Sequence, residues 1–209
     1  MHQSFRVFAQ QMGMQLVRAI LPEEIDVYLN SAINERVREV ILSNTNTDST
    51  GKLIVNNNAT PINYVRTLYR KYEVNNNSHF DTEFSLINLD ALHFVSFEVV
   101  YDNNKTYGCR FIEPDRIQDT IRDYCSSPSK EYPIVTLYTR PDGDLIVKIY
   151  NDNTAVHKLN VGYIKLPNKV SYKNNVDCDL PEYTHNDIIQ LACQKYFISV
   201  GSTTHNVNN

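Results

Sequence analysis

The sequence has no tryptophan and only six glycines in 209 residues. A loop that cradles phosphate needs closely spaced glycines, and neither G-x-x-x-x-G-K-[ST] nor G-x-G-x-x-G occurs. The nucleophile elbow G-x-S-x-G and the zinc-protease pattern H-E-x-x-H are missing as well. No apolar run approaches the roughly 20 residues that cross a bilayer as a helix. Positive charge is not in excess: 20 Lys and Arg stand against 24 Asp and Glu, for a net charge of -4. That balance argues against nucleic-acid binding through phosphate contacts and against attraction to an anionic membrane. The four cysteines, Cys109, Cys125, Cys178 and Cys193, form no C-x-x-C pair. They read as free, semi-buried thiols and not as a zinc site.

Asparagine and tyrosine are plentiful. "VNNNATPIN", "VNNNSHF", "YDNNKTY" and "HNVNN" mark loops, because Asn tolerates turns and the left-handed region. Asn58, Asn76 and Asn104 fall in N-x-[ST] patterns, expected by chance in an Asn-rich chain. The 14 tyrosines suit strand surfaces and interfaces. The first residues are interrupted by Gln10, Gln11, Gln15 and Arg18, and no small-x-small site follows. They read as a helix and not as a signal peptide, and the expectation is an intracellular or virion-associated protein made in a reducing cytosol.

Apolar residues at helical spacing predict a helix from Ser4, its N-cap, to Ile20, with Phe5, Phe8, Met12, Leu16 and Ile20 on one stripe. Pro22 followed by Glu23 and Glu24 starts a second helix that runs to about Leu42, with Ile25, Leu29, Ile33 and Val37 inward. Residues 43–61 read as a long exposed loop with room for one brief strand at "LIV", residues 61–72 as a short helix, and "NNNSHFDTEFSLINLD" as mostly loop. From Ala91 the period changes to that of strands. "LHFVSFEVVYDNNKTYGCRFIEP" reads as strand, turn, strand, and "EPDRIQDTIRDYC" as a helix. "PIVTLYTRPDGDLIVKIYN" reads as a hairpin about Pro141–Asp144, and "HKLNVGYIKLP" as a strand. After an extended connector, "NKVSYKNNVDCDLP", a last helix begins at Thr184 as N-cap, with Asp187 completing a capping box. It ends at Gly201.

The fold expected is α+β. N-terminal helices (residues 1–72) and a returning C-terminal helix (180–201) form a helical bundle. A mainly β antiparallel module (73–179) is inserted between them, and a tail (202–209) lacks fixed structure. The last helix carries two stripes. Ile188, Leu191, Ala192 and Tyr196 suit the bundle. Ile189, Cys193, Phe197 and Val200 need the sheet or a neighbouring subunit.

Catalytic candidates are few. His79, Asp81 and Glu83 are residue types that serve metal or acid–base sites, but a polar loop beside a strand explains them as well. Asp142 and Asp144 lack the length and closing Glu of a calcium loop, and a tight turn accounts for them. His185 and Asp187 fit the polar start of a helix. The expectation is no enzyme, no cofactor and no metal, with a metal-dependent enzyme around His79, Asp81 and Glu83 as an alternative.

"VGYIKLPNKV" followed by "DCDLPEYTHNDIIQLACQKYFISVG" resembles head-to-tail connector (ring or adaptor) proteins of crAss-like and related tailed bacteriophages. The matching residues are Tyr163, Lys165, Pro167, Leu180, Pro181, Glu182, His185, Ile188 and Ile189. "LPEEIDVYLNSAINERVREVI" resembles the early helices of such proteins, so the likeness covers both ends and only loosely the middle. It implies a virion structural protein at the head–tail junction, made in the host cytoplasm. It implies a homo-oligomeric ring beneath a dodecameric portal, with the portal and adjacent connector or tail proteins as partners. DNA would pass through the lumen without sequence-specific binding, and no membrane is involved. Ile189, Cys193, Phe197 and Val200 would meet the adjacent subunit, and Thr203, Thr204, His205 and Val207 the portal or next ring. Another tail, stopper or capsid-accessory component, or a small cytosolic binding module, are the alternatives.

Overall fold

A computed structural model describes residues 1–12, 20–47, 53–55, 63–76, 82–87, 89–102 and 104–205, with only the backbone at 43–47, 53–55 and 201–205. In chain order the elements are α1 (His2–Gln11), α2 (Pro22–Asn44), β1 (Thr45–Thr47), β2 (Leu53–Val55), β3 (Tyr69–Asn75), β4 (Glu83–Leu86), β5 (Ala91–Tyr101), β6 (Thr106–Gly108), β7 (Arg110–Phe111), α3 (Ile117–Arg122), β8 (Ile134–Thr139), β9 (Leu145–Tyr150), β10 (Val156–Lys165) and α4 (His185–His205). Short 3-10 turns precede β3 and α4, at Arg66–Leu68 and Glu182–Thr184. The chain is mixed α+β, with four helices and antiparallel-rich sheets among the described residues. It divides into two compact units, Met1–Leu68 with Pro167–Asn209, and Tyr69–Leu166.

In the first unit, α2 begins at Pro22, whose missing N–H is no loss at a helix start, and Glu23 and Glu24 face the positive end of the helix dipole. Ile25, Leu29, Ile33 and Val37 are buried as their spacing predicts, with Ala32 beside them. Helix α1 starts two residues earlier than expected. Met1 occupies the cap position without a side-chain bond, and Ser4 lies inside the helix. Phe5 and Ala9 form its buried face, while Met12 is exposed. Met12 stands at the C-cap position, just past the last helical residue. Leu16 and the rest of 13–19 lie outside the described residues. "LIV" does form a strand, β2, paired antiparallel with β1.

The expected connector is stitched to α2. Asn30 acts like a strand edge: its Oδ1 accepts from Val170 N at 2.7 Å and its Nδ2 donates to Val170 O at 2.9 Å. Four residues earlier on the same helix face, Asp26 accepts from Tyr172 N at 2.9 Å through one oxygen and from His2 Nε2 at 2.7 Å through the other. The His2 and Tyr172 rings lie 5.2 Å apart. A bridge from Ser171 to Val176, turned by Asn175 at φ 52°, folds the connector back on itself.

The second unit holds two four-stranded sheets, ordered β3-β10-β5-β6 and β4-β9-β8-β7. Both contribute to one core, in which Phe84, Phe97, Val99, Val135, Val147, Leu159 and Val161 are buried. The chain passes from one sheet to the other at Cys109, where Cys109 N donates to Phe97 O and Arg110 N to Pro133 O. The β7–β8 pair this creates is parallel, against an expectation of antiparallel pairing throughout. Two segments depart from prediction. Residues 69–72 are strand and not helix, because Tyr72 and Val74 alternate inward onto this core. "EFSL" is a strand and not loop, with Phe84 and Leu86 inward. The β8–β9 hairpin turns as expected. Gly143 takes φ 94°, and Asp144 N donates to Asp142 Oδ1 at 3.1 Å.

Replacing Asn30 with Ala leaves the N–H and C=O of the nearly buried Val170 without partners. We expect a loss of about 2 kcal/mol in unfolding free energy, measured by urea denaturation. A change below about 0.5 kcal/mol would show that water takes over both bonds.

Candidate interface on the last helix

Helix α4 sits on α1 and α2 through a broad apolar surface, and its start is anchored before the helix begins. Leu180 is buried, and the His185 ring donates from Nε2 to the Leu180 carbonyl at 3.0 Å. Thr184 is fully buried in the preceding 3-10 turn and donates its hydroxyl back to Pro181 O at 2.6 Å. Thr184 directly precedes the helix, at the position expected for the N-cap. Tyr183 donates to Asn63 O at 2.7 Å, and its ring meets Tyr64 edge to face.

Along the helix, Ile188, Ile189, Ala192 and Cys193 are buried. The two expected stripes therefore merge into one inward face over the first two turns. Ile189, at 2% exposure, and Cys193, at 0%, are covered within this chain and are not open to a neighbouring subunit. The Cys193 thiol donates to Phe5 O at 3.6 Å. Tyr196 packs edge to face on Phe5 and on Tyr28, and the Tyr28 hydroxyl shares a hydrogen bond of 2.7 Å with Ser199 Oγ. Lys195 pairs with Glu35 of α2.

Past this point the helix presents apolar groups outward. Ile198 is 71% exposed and Val200 41%, and Met12, just past the end of α1, is 44% exposed. Met12, Gln194, Phe197 and Ile198 line an open groove of about 510 Å³. Of the residues expected at a subunit contact, Phe197 and Val200 thus remain at the surface or partly so. Ile198 and Met12 are additions that the spacing argument missed. The helix does not stop at Gly201: the backbone stays helical through His205, so Thr203, Thr204 and His205 belong to a helix and not to a tail. Their side chains and Val207 lie outside the described residues.

The other candidate chemistry resolves into local structure. Glu83 holds Lys148 and Arg140, each at 3.0 Å, and these contacts keep its carboxyl below the usual range, Lys148 foremost. His79 and Asp81 lie outside the described residues. Among the described residues no three His, Cys, Asp or Glu side chains are grouped to hold a metal ion. No described helix is long and apolar enough to cross a membrane. No protein-family model matches the chain, and no curated protein matches it either.

Burial pushes the Cys109 thiol up to about 12 and the Cys193 thiol up to about 11, so neither ionises near neutral pH. Cys125 is exposed. Titration of the folded protein with a thiol-reactive disulfide should label Cys125 first, and Cys125→Ser should remove the fast phase. Fast labelling that survives in that variant would show that one of Cys109, Cys178 and Cys193 is more open in solution than in this structure.

Proposed function

We propose that the chain is a virion structural protein forming a head-to-tail connector ring of a tailed bacteriophage, bridging portal and tail and extending the DNA conduit. The proposal includes the finer architecture, a helical bundle built from the N-terminal helices and a returning C-terminal helix, with the antiparallel module inserted between them. The sequence likeness around Tyr163–Ile189 points to this family. The observation that carries the reading is the apolar surface of Met12, Phe197, Ile198 and Val200. It continues a helix whose other face is fully buried.

Exposed apolar groups clustered at one place mark contact surfaces more often than isolated ones do. In a cyclic assembly each subunit offers one patch to the next and receives another, so such a surface is covered without forming a closed dimer. The additional helical turn from Ser202 to His205 would extend this contact surface toward the portal or the next ring. The single Ile198 side chain, if wholly covered, contributes about 1.5–3 kcal/mol per subunit, which repetition around a ring multiplies.

Gold-labelled antibody against the chain should decorate purified particles at the junction of head and tail. Label elsewhere on the particle would favour a tail or capsid-accessory component, and its absence would remove the virion reading. In the same particles, Ile198→Glu should leave the stability of the isolated protein within about 0.5 kcal/mol, read by urea denaturation, yet prevent incorporation. Normal incorporation of that variant would exclude this face as the subunit contact.

A further inference from the structure

Strand β3 lies at the edge of its sheet, with β10 as its neighbour. Which way its backbone groups point follows from one contact. Asn76 N donates to His157 O at 2.9 Å, and the register that sets Asn75 opposite Lys158 sets these two residues opposite each other. Backbone direction alternates along an antiparallel strand. Tyr72 and Val74 therefore turn their N–H and C=O toward β10, and Lys71, Glu73 and Asn75 turn theirs away. Among the described residues these three make no backbone hydrogen bond on that open side. Their side chains are exposed on the outer face, while Tyr72 and Val74 pack on the core.

We propose that β3 pairs antiparallel with β3 of a second copy, centred on Tyr72. Only registers that bring outward-pointing residues opposite each other can form the ladder. Three of these are central. One centred on Lys71 sets two ammonium groups face to face, and one centred on Glu73 sets two carboxylates face to face. The register centred on Tyr72 sets Lys71 opposite the second copy's Glu73, and Glu73 opposite its Lys71. Opposite charges across a strand pair stabilise it and like charges oppose it, so the charge pattern of the edge selects this register.

The surroundings fit. Opposite Lys71 on β10 stands Gly162, which has no side chain to occupy the ammonium group. Glu73 already pairs with Lys158 on its inner side, and the incoming lysine completes a Lys–Glu–Lys row across the join. At the start of the strand the Arg70 guanidinium donates to Tyr69 O at 2.8 Å and blunts the edge there. In the register centred on Tyr72, Asn75 falls opposite Tyr69 of the second copy, so the ladder is confined to Lys71–Glu73 of each copy. This contact relates two copies by a two-fold axis and closes on itself, so it is not the contact that propagates a ring. It does not rest on the connector reading.

Sedimentation velocity on the full chain, at concentrations up to about 100 µM, tests it. The wild type should form a dimer that weakens with added salt. Lys71→Glu and Glu73→Lys should each raise the dissociation constant about tenfold or more, and the double variant K71E/E73K should restore the dimer. Glu73→Lys also removes the Lys158 pair, so a circular-dichroism melt accompanies each variant. Lys71→Pro provides a second route, since it deletes an N–H that faces the second copy and leaves the β10 ladder whole. It should abolish the dimer while the protein stays folded. A wild type that is monomeric throughout, or a dimer indifferent to all of these changes, overturns the proposal.

Discussion

The first unit depends on one long-range closure. Its helices α1 and α2 and its helix α4 are separated by the whole of the second unit, and nothing local holds α4 in place. Contacts such as Asn30 with Val170 and Tyr28 with Ser199 join positions that lie 140 and 171 residues apart. The entropic cost of closing so long a loop grows only with the logarithm of its length. An ordered second unit, whose ends are Tyr69 and Leu166, replaces most of that floppy loop with fixed structure. The apolar face of α4 supplies the opposing term. Ile188, Ile189, Ala192 and Cys193 leave water together, and Tyr196 fills the space between Phe5 and Tyr28.

This closure explains which parts of the structure were readable from sequence. Helix α2 was, because Ile25, Leu29, Ile33 and Val37 recur at helical period behind a proline and two acids. The β8–β9 hairpin was, because Gly143 is needed at positive φ and two aspartates can bond the turn. The Asn-rich segment "YDNNKTY" marked a turn with a physical cause, for Asn104 takes positive φ; Asn153 and Asn175 do so as well, outside the segments singled out. Residues 69–72 misled because "PINYVRTLYRKY" satisfies helical spacing about as well as strand alternation. Only the core beneath Tyr72 and Val74 decides between them, and that core is assembled from strands up to ninety residues away. Asn30 and Asp26 were invisible for a similar reason. They are polar residues on a helix flank, and their backbone partners come from a connector far along the chain.

The interface residues were legible only in part, and the failure is informative. Two adjacent apolar stripes on one helix were divided between the fold and a neighbour. Packing on two helices covers a wider arc than a single stripe, so Ile189 and Cys193 are consumed by the fold itself. What distinguishes a surface available to a partner is not the stripe but where the covering helices end. Beyond Tyr196 the cover thins, and Phe197, Ile198 and Val200 follow. Sequence periodicity reports which residues are apolar and in phase. It cannot report how far along the helix its neighbours reach.

The edge of β3 raises a question of symmetry that bears on how such a chain behaves before assembly. The proposed two-fold β3 pair and the proposed cyclic contact through α4 would use different surfaces and different symmetry operators. The first saturates at two copies, and the second continues until a ring closes. A strand edge with outward N–H and C=O groups is also a hazard, because any extended segment can add to it. The sequence counters this with charge: Lys71 and Glu73 flank Tyr72, and Arg70 covers the carbonyl of Tyr69. That same pattern is self-complementary in one register alone. In the proposed pairing the charges disfavour the two registers that set like charges together and favour the one that sets Lys71 opposite Glu73 of another copy.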